Sequence, residues 1–242
     1  MRIITSNKRD WEDWVTDEIR SSVEARIKVR GHCAMMLTGG KTAEALYKHW
    51  VVSATWNHSN LNYYFGDERC LPPENTESNY GMVMRSLFPM GLPEDCSIYR
   101  IRGEVSNYKA EASRYERILP ETIDILLLSV GPDGHIASLF PGSASLSNDG
   151  ADLVVPIVGP KHPSKRLTIT PCVIQSARSI FVLAIGSEKG KVLAEALTKP
   201  DNIFDMPVRL TIGGTWLLDS QATAQYQKSV QSQKKRRMIQ YV

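Results

Sequence analysis

The sequence predicts a three-layer α/β/α sandwich, Rossmann-like, built on a mostly parallel central sheet. Three observations carry that prediction. Short apolar runs at 33–37, 61–65, 124–130 and 180–185 are bounded by Gly, Pro and polar turns, as strands buried on both faces are. Longer helical stretches alternate with them, and regular strand–helix alternation means parallel strands joined by crossovers. Glycine turns directly follow two of the runs, where open α/β sheets hold their ligands.

Along the chain, Trp11, Trp14, Val15, Ile19, Val23 and Ile27 recur at helical spacing. A strand over 33–37 runs into Thr38-Gly39-Gly40-Lys41-Thr42, and 43–52 reads as a helix. The strand over 61–65 ends in Gly66-Asp67-Glu68-Arg69. A Pro-rich loop then leads to a helix starting at Ser78-Asn79-Tyr80. A strand over 97–101 and a helix over 105–119 precede the apolar run 124–130, which stops at Gly131-Pro132-Asp133-Gly134-His135. Residues 153–158 read as a further strand, 171–177 as a short helix, 180–185 as a strand, 189–197 as its helix and 208–212 as a last strand, with Trp216-Leu217-Leu218 packed nearby. The segment 141–150, rich in Gly, Ser and Asn, reads as a flap. The polar run 231–237 reads as a solvated helix end. No repeat or linker divides the 242 residues, so one domain over 1–242 is expected.

The composition narrows the function classes. A hydrophobic fraction of 42% and a charged fraction of 23% are ordinary for a soluble domain. A net charge of +3 argues against nucleic acid as the main partner. No apolar stretch approaches the ~20 residues of a membrane span. The first residues lack the apolar core of a signal peptide. Cys33, Cys70, Cys96 and Cys172 are too dispersed for a zinc site or a disulfide framework, and a reducing cytoplasm is the expected compartment. The expected partner is therefore a small molecule, with neither nucleic acid nor membrane, for a monomer or small homo-oligomer.

Three constellations bear chemistry. At Thr38–Thr42, glycines let backbone N–H groups approach an anion at a helix N-terminus, and Thr38 and Thr42 add hydroxyls. The spacing is not that of a nucleotide P-loop. The alternative is a tight strand–helix turn with Thr42 as N-cap. Asp67-Glu68-Arg69 is either a solvated turn or a guanidinium held by carboxylates and aimed at substrate oxygen. Asp133 and His135 either cap and pack, or form an oriented proton acceptor near neutral pH. Arg166 and Lys189 add a planar fork and a point charge, each of which is also an ordinary surface residue.

From Met35 to Asp219 these segments resemble the glucosamine-6-phosphate isomerase/6-phosphogluconolactonase family, and its lactonases in particular. Leu37–Ala43 is similar to the family's L-S-G-G-S-T-P loop, and Gly66–Arg69 with Pro72-Pro73 and Ser78–Tyr80 to its G-D-E-R, V-P and S-N-Y block. Gly131–Gly142 resembles G-P-D-G-H-T-A-S-L-F-P-G over its full length. Arg166–Thr168, Gly186–Lys189 and Trp216–Asp219 resemble three further blocks. Lys41, Ala43, Asn75 and Ile136 depart from the family pattern. The resemblance implies a NagB/RpiA-type fold and hydrolysis of 6-phospho-D-glucono-1,5-lactone in the oxidative pentose phosphate pathway, with no cofactor or metal.

The resemblance also implies roles. His135 takes a proton from water, Asp133 orients the imidazole or holds a sugar hydroxyl, and Arg69, kept in place by Asp67 or Glu68, stabilises the oxyanion. Gly39, Gly40, Lys41, Thr42 and the Thr38 hydroxyl cradle the phosphate, with Arg166 and Lys189 balancing its charge. The rivals are an amino-sugar phosphate deaminase or isomerase on the same fold, and a sugar-phosphate sensor without catalysis.

Overall fold

The computed structural model describes residues 1–5, 10–147, 152–198 and 202–239, with side-chain surroundings given only as far as residue 232 at the C-terminal end. Seven strands, β1 (Arg2–Thr5), β2 (Cys33–Leu37), β3 (Leu61–Phe65), β5 (Ser97–Ile98), β6 (Ile125–Ser129), β9 (Ser179–Ala184) and β10 (Thr215–Leu218), form one sheet. Its order is β1-β10-β9-β6-β2-β3-β5, and every pair is parallel. Every side chain of β2 is buried although alternate residues point to opposite faces, so both faces are covered. Helices α1 (Trp11–Arg30), α2 (Lys41–Val52), α3 (Asn79–Ser86), α4 (Tyr108–Ile118), α5 (Pro171–Ser176), α6 (Ser187–Thr198) and α7 (Ser220–Ile239) complete the sandwich.

A second sheet holds β4 (Asp67–Arg69), β8 (Lys165–Ile169) and β7 (Val154–Val158), all antiparallel. Here the structure departs from the expected single sheet. The strand expected at 153–158 exists, but it pairs outside the parallel core. The charged triplet at 67–69 is itself a strand. The triplet has no apolar run at all, and the 153–158 run, though apolar, is broken by Pro156 and only partly buried.

Other boundaries moved. Residues 208–212 are not a strand: Pro207–Thr211 forms a 3₁₀ turn, because Pro207 lacks a ladder donor and Thr211 Oγ1 closes on Val208 O at 2.7 Å. The last strand is β10. β1 escaped the sequence reading because a four-residue edge strand leaves little pattern. The 97–101 strand is two residues long, and α4 starts three residues later than expected because Asn107 caps it through Ala110 N. Of the flap, Ala144–Ser147 is a 3₁₀ turn and 148–150 lie outside the described residues. The 231–237 run lies in α7, and the side chains of Lys234, Lys235, Arg236 and Arg237 are outside the described residues.

The strand order reverses between β2 and β6. From β2 the chain proceeds towards β3 and β5, whereas from β6 it proceeds towards β9 and β10. Such a switch point opens a crevice at the carboxyl ends of the two strands. Those ends carry the Thr38–Thr42 and Gly131–His135 turns.

Candidate active site

A cleft of about 280 Å³ lies at this switch point. It is lined by the whole Thr38–Thr42 turn, by Asp67 and Arg69 from β4, by His135, by Arg166 from β8 and by Lys189 from α6. A larger open hollow of about 880 Å³, between 140–147 and β7, has no His, Lys or Arg in its lining. The cationic and imidazole side chains therefore gather at the smaller space.

The Thr38–Thr42 turn is held by its neighbours. Tyr47, buried on α2, accepts from Thr38 N at 3.2 Å and donates to Thr38 O at 3.0 Å. Both peptide groups left unpaired where β2 leaves the sheet are thereby satisfied. Ser129 adds two bonds from the end of β6, its N–H to Thr38 Oγ1 at 3.3 Å and its Oγ to Gly39 O at 3.2 Å. Gly39 is obligatory, because a Cβ there would sit 2.0 Å from Asn79 Oδ1. The N-cap of α2 is Gly40, not Thr42, and Thr42 lies in the first turn of the helix. The backbone N–H groups of that first turn and the Lys41 and Thr42 side chains therefore border the cleft at the positive end of a helix dipole.

The charged triplet is divided by strand alternation, which sends Asp67 and Arg69 to one side and Glu68 to the other. Glu68 does not line the cleft. Its carboxylate accepts from Asn79 N at 2.8 Å, Tyr80 N at 2.7 Å, Ser78 Oγ at 3.1 Å and Arg69 N at 2.7 Å, and so caps α3. Burial raises its pKa to about 7 against those donors. Neither Asp67 nor Glu68 holds the Arg69 guanidinium, contrary to expectation. Its Nη1 donates to the Glu77 carbonyl, in a loop shaped by Asn75 Oδ1 accepting from Glu77 N at 2.9 Å. Its Nε is buried and has no partner among the described residues.

Asp67 instead organises the cleft wall. It accepts from Ser138 Oγ at 2.6 Å and from Asn79 Nδ2 at 3.2 Å. Ser138 Oγ in turn accepts from Arg166 Nη1 at 3.3 Å, and Arg166 Nε donates to Pro163 O at 2.8 Å. The guanidinium lies over the Phe140 ring, 5.5 Å from its centre. Arg69 and Arg166 are cross-strand partners in the β4–β8 ladder. Like charges directly opposed are unfavourable without an anion between them. Burial lowers the pKa of Arg166, and Asp67 works against it. Burial likewise lowers Lys189.

His135 Nδ1 bonds to Asp133 Oδ1. Gly131 N donates to His135 O at 2.8 Å, closing the turn, and Val208 N donates to Gly134 O at 2.9 Å. A Cβ on Gly131 would lie 2.0 Å from His135 Nδ1, so only glycine admits the ring. Asp133 does not line the cleft but backs the imidazole, and Lys161 Nζ donates to its other oxygen at 3.0 Å. Burial opposes ionisation of Asp133, but the bonds from His135 and Lys161 win and hold its pKa at about 2. The carboxylate is therefore ionised and accepts only, so Nδ1 carries the proton and Nε2 is the basic nitrogen. Burial lowers the His135 pKa from the ordinary imidazole value, with Asp133 opposing, which favours the neutral ring.

The sequence reading missed Lys161, Ser138, Asn79 and Ser129. Asn79 and Ser138 lie inside motif blocks, but nothing local assigns them to the cleft wall. Among the described residues no group of His, Cys, Asp and Glu side chains has the arrangement of a metal site, and no helix is long and apolar enough to cross a membrane.

Comparison with known proteins gives a consistent answer. Residues 6–217 match the model of the glucosamine-6-phosphate isomerases/6-phosphogluconolactonase family. A 6-phosphogluconolactonase of Haemophilus influenzae is 34% identical over 202 residues, covering 77% of this chain and 84% of that protein. The 6-phosphogluconolactonase 3 of Saccharomyces cerevisiae is 36% identical over 185 residues, covering 70% and 71%. The solved 6-phosphogluconolactonase of Trypanosoma brucei superimposes with a TM-score of 0.76 at 26% identity, over 92% of this chain and 97% of that one.

Proposed function

The chain belongs to the glucosamine-6-phosphate isomerases/6-phosphogluconolactonase family, and from that premise we propose that it hydrolyses 6-phospho-D-glucono-1,5-lactone to 6-phosphogluconate with His135 as general base. One observation carries the reading: a carboxylate-backed imidazole and an excess of cations share a single cleft at the sheet's switch point. The phosphate is anchored by the N–H groups and side chains of Thr38–Thr42, by Arg166 and by Lys189. Anchoring fixes the lactone C1 near His135. Nε2 removes a proton from water as its oxygen attacks C1. The carbonyl oxygen becomes an oxyanion beside the Arg69 guanidinium, which lines the cleft. As the C1–O bond to the ring oxygen breaks, His135 returns the proton to that oxygen. Asp133 keeps the imidazole in the Nδ1–H tautomer throughout.

The experiment is enzyme-dependent opening of freshly made 6-phosphogluconolactone, measured above the spontaneous rate. The family's amino-sugar branch is tested in parallel by ammonia release from glucosamine 6-phosphate. Ammonia release without lactone hydrolysis overturns the proposal, as does phosphosugar binding with no turnover. Because the folded pKa of His135 is depressed, the unprotonated base persists to lower pH. The acid limb of kcat/KM is expected to have its midpoint below 6.5, the ordinary imidazole value.

A further inference from the structure

The reaction needs an imidazole that is neutral and fixed in one tautomer, and a third side chain bears on both conditions. Lys161 lies in the connection between β7 and β8, and reaches across to Asp133 from the opposite side to His135. The carboxylate is shared, with Oδ1 on His135 Nδ1 and Oδ2 on Lys161 Nζ at 3.0 Å. The backbone that delivers Lys161 is tied to the anion-binding wall. Lys161 O accepts from Arg166 Nη2 at 3.5 Å, Pro163 O accepts from Arg166 Nε at 2.8 Å, and Gly159 N donates to Ser164 O at 2.7 Å to close the connection. One arginine thus braces the turn whose lysine braces the base's carboxylate.

We propose that Lys161 is a positioning residue for the hydrolysis: by pairing Asp133 it pins the carboxylate against His135 Nδ1 and offsets its charge, so that Nε2 meets the cleft as an unprotonated acceptor. The inference rests on the reading of His135 as the base. An uncompensated carboxylate beside an imidazole stabilises the imidazolium, which is useless as a base. An ammonium on the second oxygen removes part of that field while leaving the orienting bond intact. The other charged groups around the pair are Asp67 from β4, which favours the imidazolium, and Lys189 from α6, which feels Asp133. Phe140 packs its ring against the imidazole, centre to centre at 4.7 Å. The alternative is an ordinary surface ion pair, since Lys161 is about half exposed. Such a pair contributes little to stability and does not govern a pH profile.

The test uses Lys161→Met and Lys161→Arg in the full chain. The chain has five histidines, and the His135→Ala spectrum assigns the His135 imidazole C–H signal. In Lys161→Met the His135 titration is expected to move to higher pH. Against the unaltered protein, kcat/KM falls roughly three-fold or more at pH 6 yet stays within about two-fold on the plateau above pH 8. Lys161→Arg restores both. An unmoved His135 titration in a folded Lys161→Met protein overturns the inference, and so does an equal loss at every pH. The NMR arm does not depend on turnover. If the titration moves while His135→Ala hydrolyses lactone normally, Lys161 keeps its place beside Asp133 and the general-base reading falls.

Discussion

The two ends of the parallel sheet use similar charged side chains in opposite ways. At the amino end of β6, Asp124 is fully buried and gathers three arginines: Arg26 at 3.1 Å, Arg30 at 3.4 Å and Arg178 at 3.5 Å. Its second oxygen accepts from Ala34 N at 3.0 Å, at the next strand. That carboxylate is satisfied wholly within the protein, and the cluster ties α1, β2, β6 and the start of β9 together. At the carboxyl end, Lys41, Arg69, Arg166 and Lys189 line one cleft. Among the described residues none of the four makes an ion pair with a carboxylate. Asp67, the acidic side chain lining that cleft, is engaged by Ser138 and Asn79. Guanidiniums gathered on the protein's own buried carboxylate are scaffold. Cations left without a carboxylate around a space are what the proposed phosphate site requires.

That contrast can be broken by substitution. The largest effect is expected at the incomplete end. His135→Ala lowers kcat by ~10² or more, about 2.7 kcal/mol of barrier, while affinity for 6-phosphogluconate persists. Steady-state kinetics and product titration check it, and near-normal kcat removes His135 from its role. Asp124→Ala comes next and strikes the other end. It leaves the Ala34 N–H unpaired and three guanidiniums without their carboxylate, and costs about 2 kcal/mol of stability. That is the low side of the range for a broken buried pair, because the arginines reach solvent. Urea denaturation reads the loss, and kcat should be unchanged. A fall in kcat at unaltered stability would mean that the two ends do not divide scaffold from site. The smallest is Arg166→Ala, which raises KM roughly ten-fold with a lesser change in kcat, since a phosphate contact exists before and during reaction. A loss confined to kcat would place Arg166 at the reacting carbonyl instead.

Much of this was legible in the residues, unevenly. The buried strands β2, β3, β6 and β9 stand out because burial on both faces demands unbroken apolar runs. The Thr38–Thr42 and Gly131–His135 turns stand out because close backbone approach demands glycine, and both lie in the cleft region as expected. The small antiparallel sheet was not legible. β4 and β8 carry charged residues, β7 is apolar but its partner strand is not evident, and the pairing of Arg69 with Arg166 joins residues nearly a hundred positions apart. The division of labour in Asp67-Glu68-Arg69 was also hidden. Three charges in a row look alike until strand alternation sends the middle one to cap α3. Lys161 gave no signal, because an isolated lysine between prolines reads as surface.

The sequence by itself determined the strand–helix alternation, the parallel class of the main sheet and the turns that end β2 and β6, because these rest on local hydrophobic pattern and local backbone freedom. Tertiary structure alone decided that those turns meet at one switch point, that Arg69 faces Arg166, and that Lys161 reaches Asp133. Such pairings depend on strand order and register between distant segments, and no local pattern of residue types encodes them.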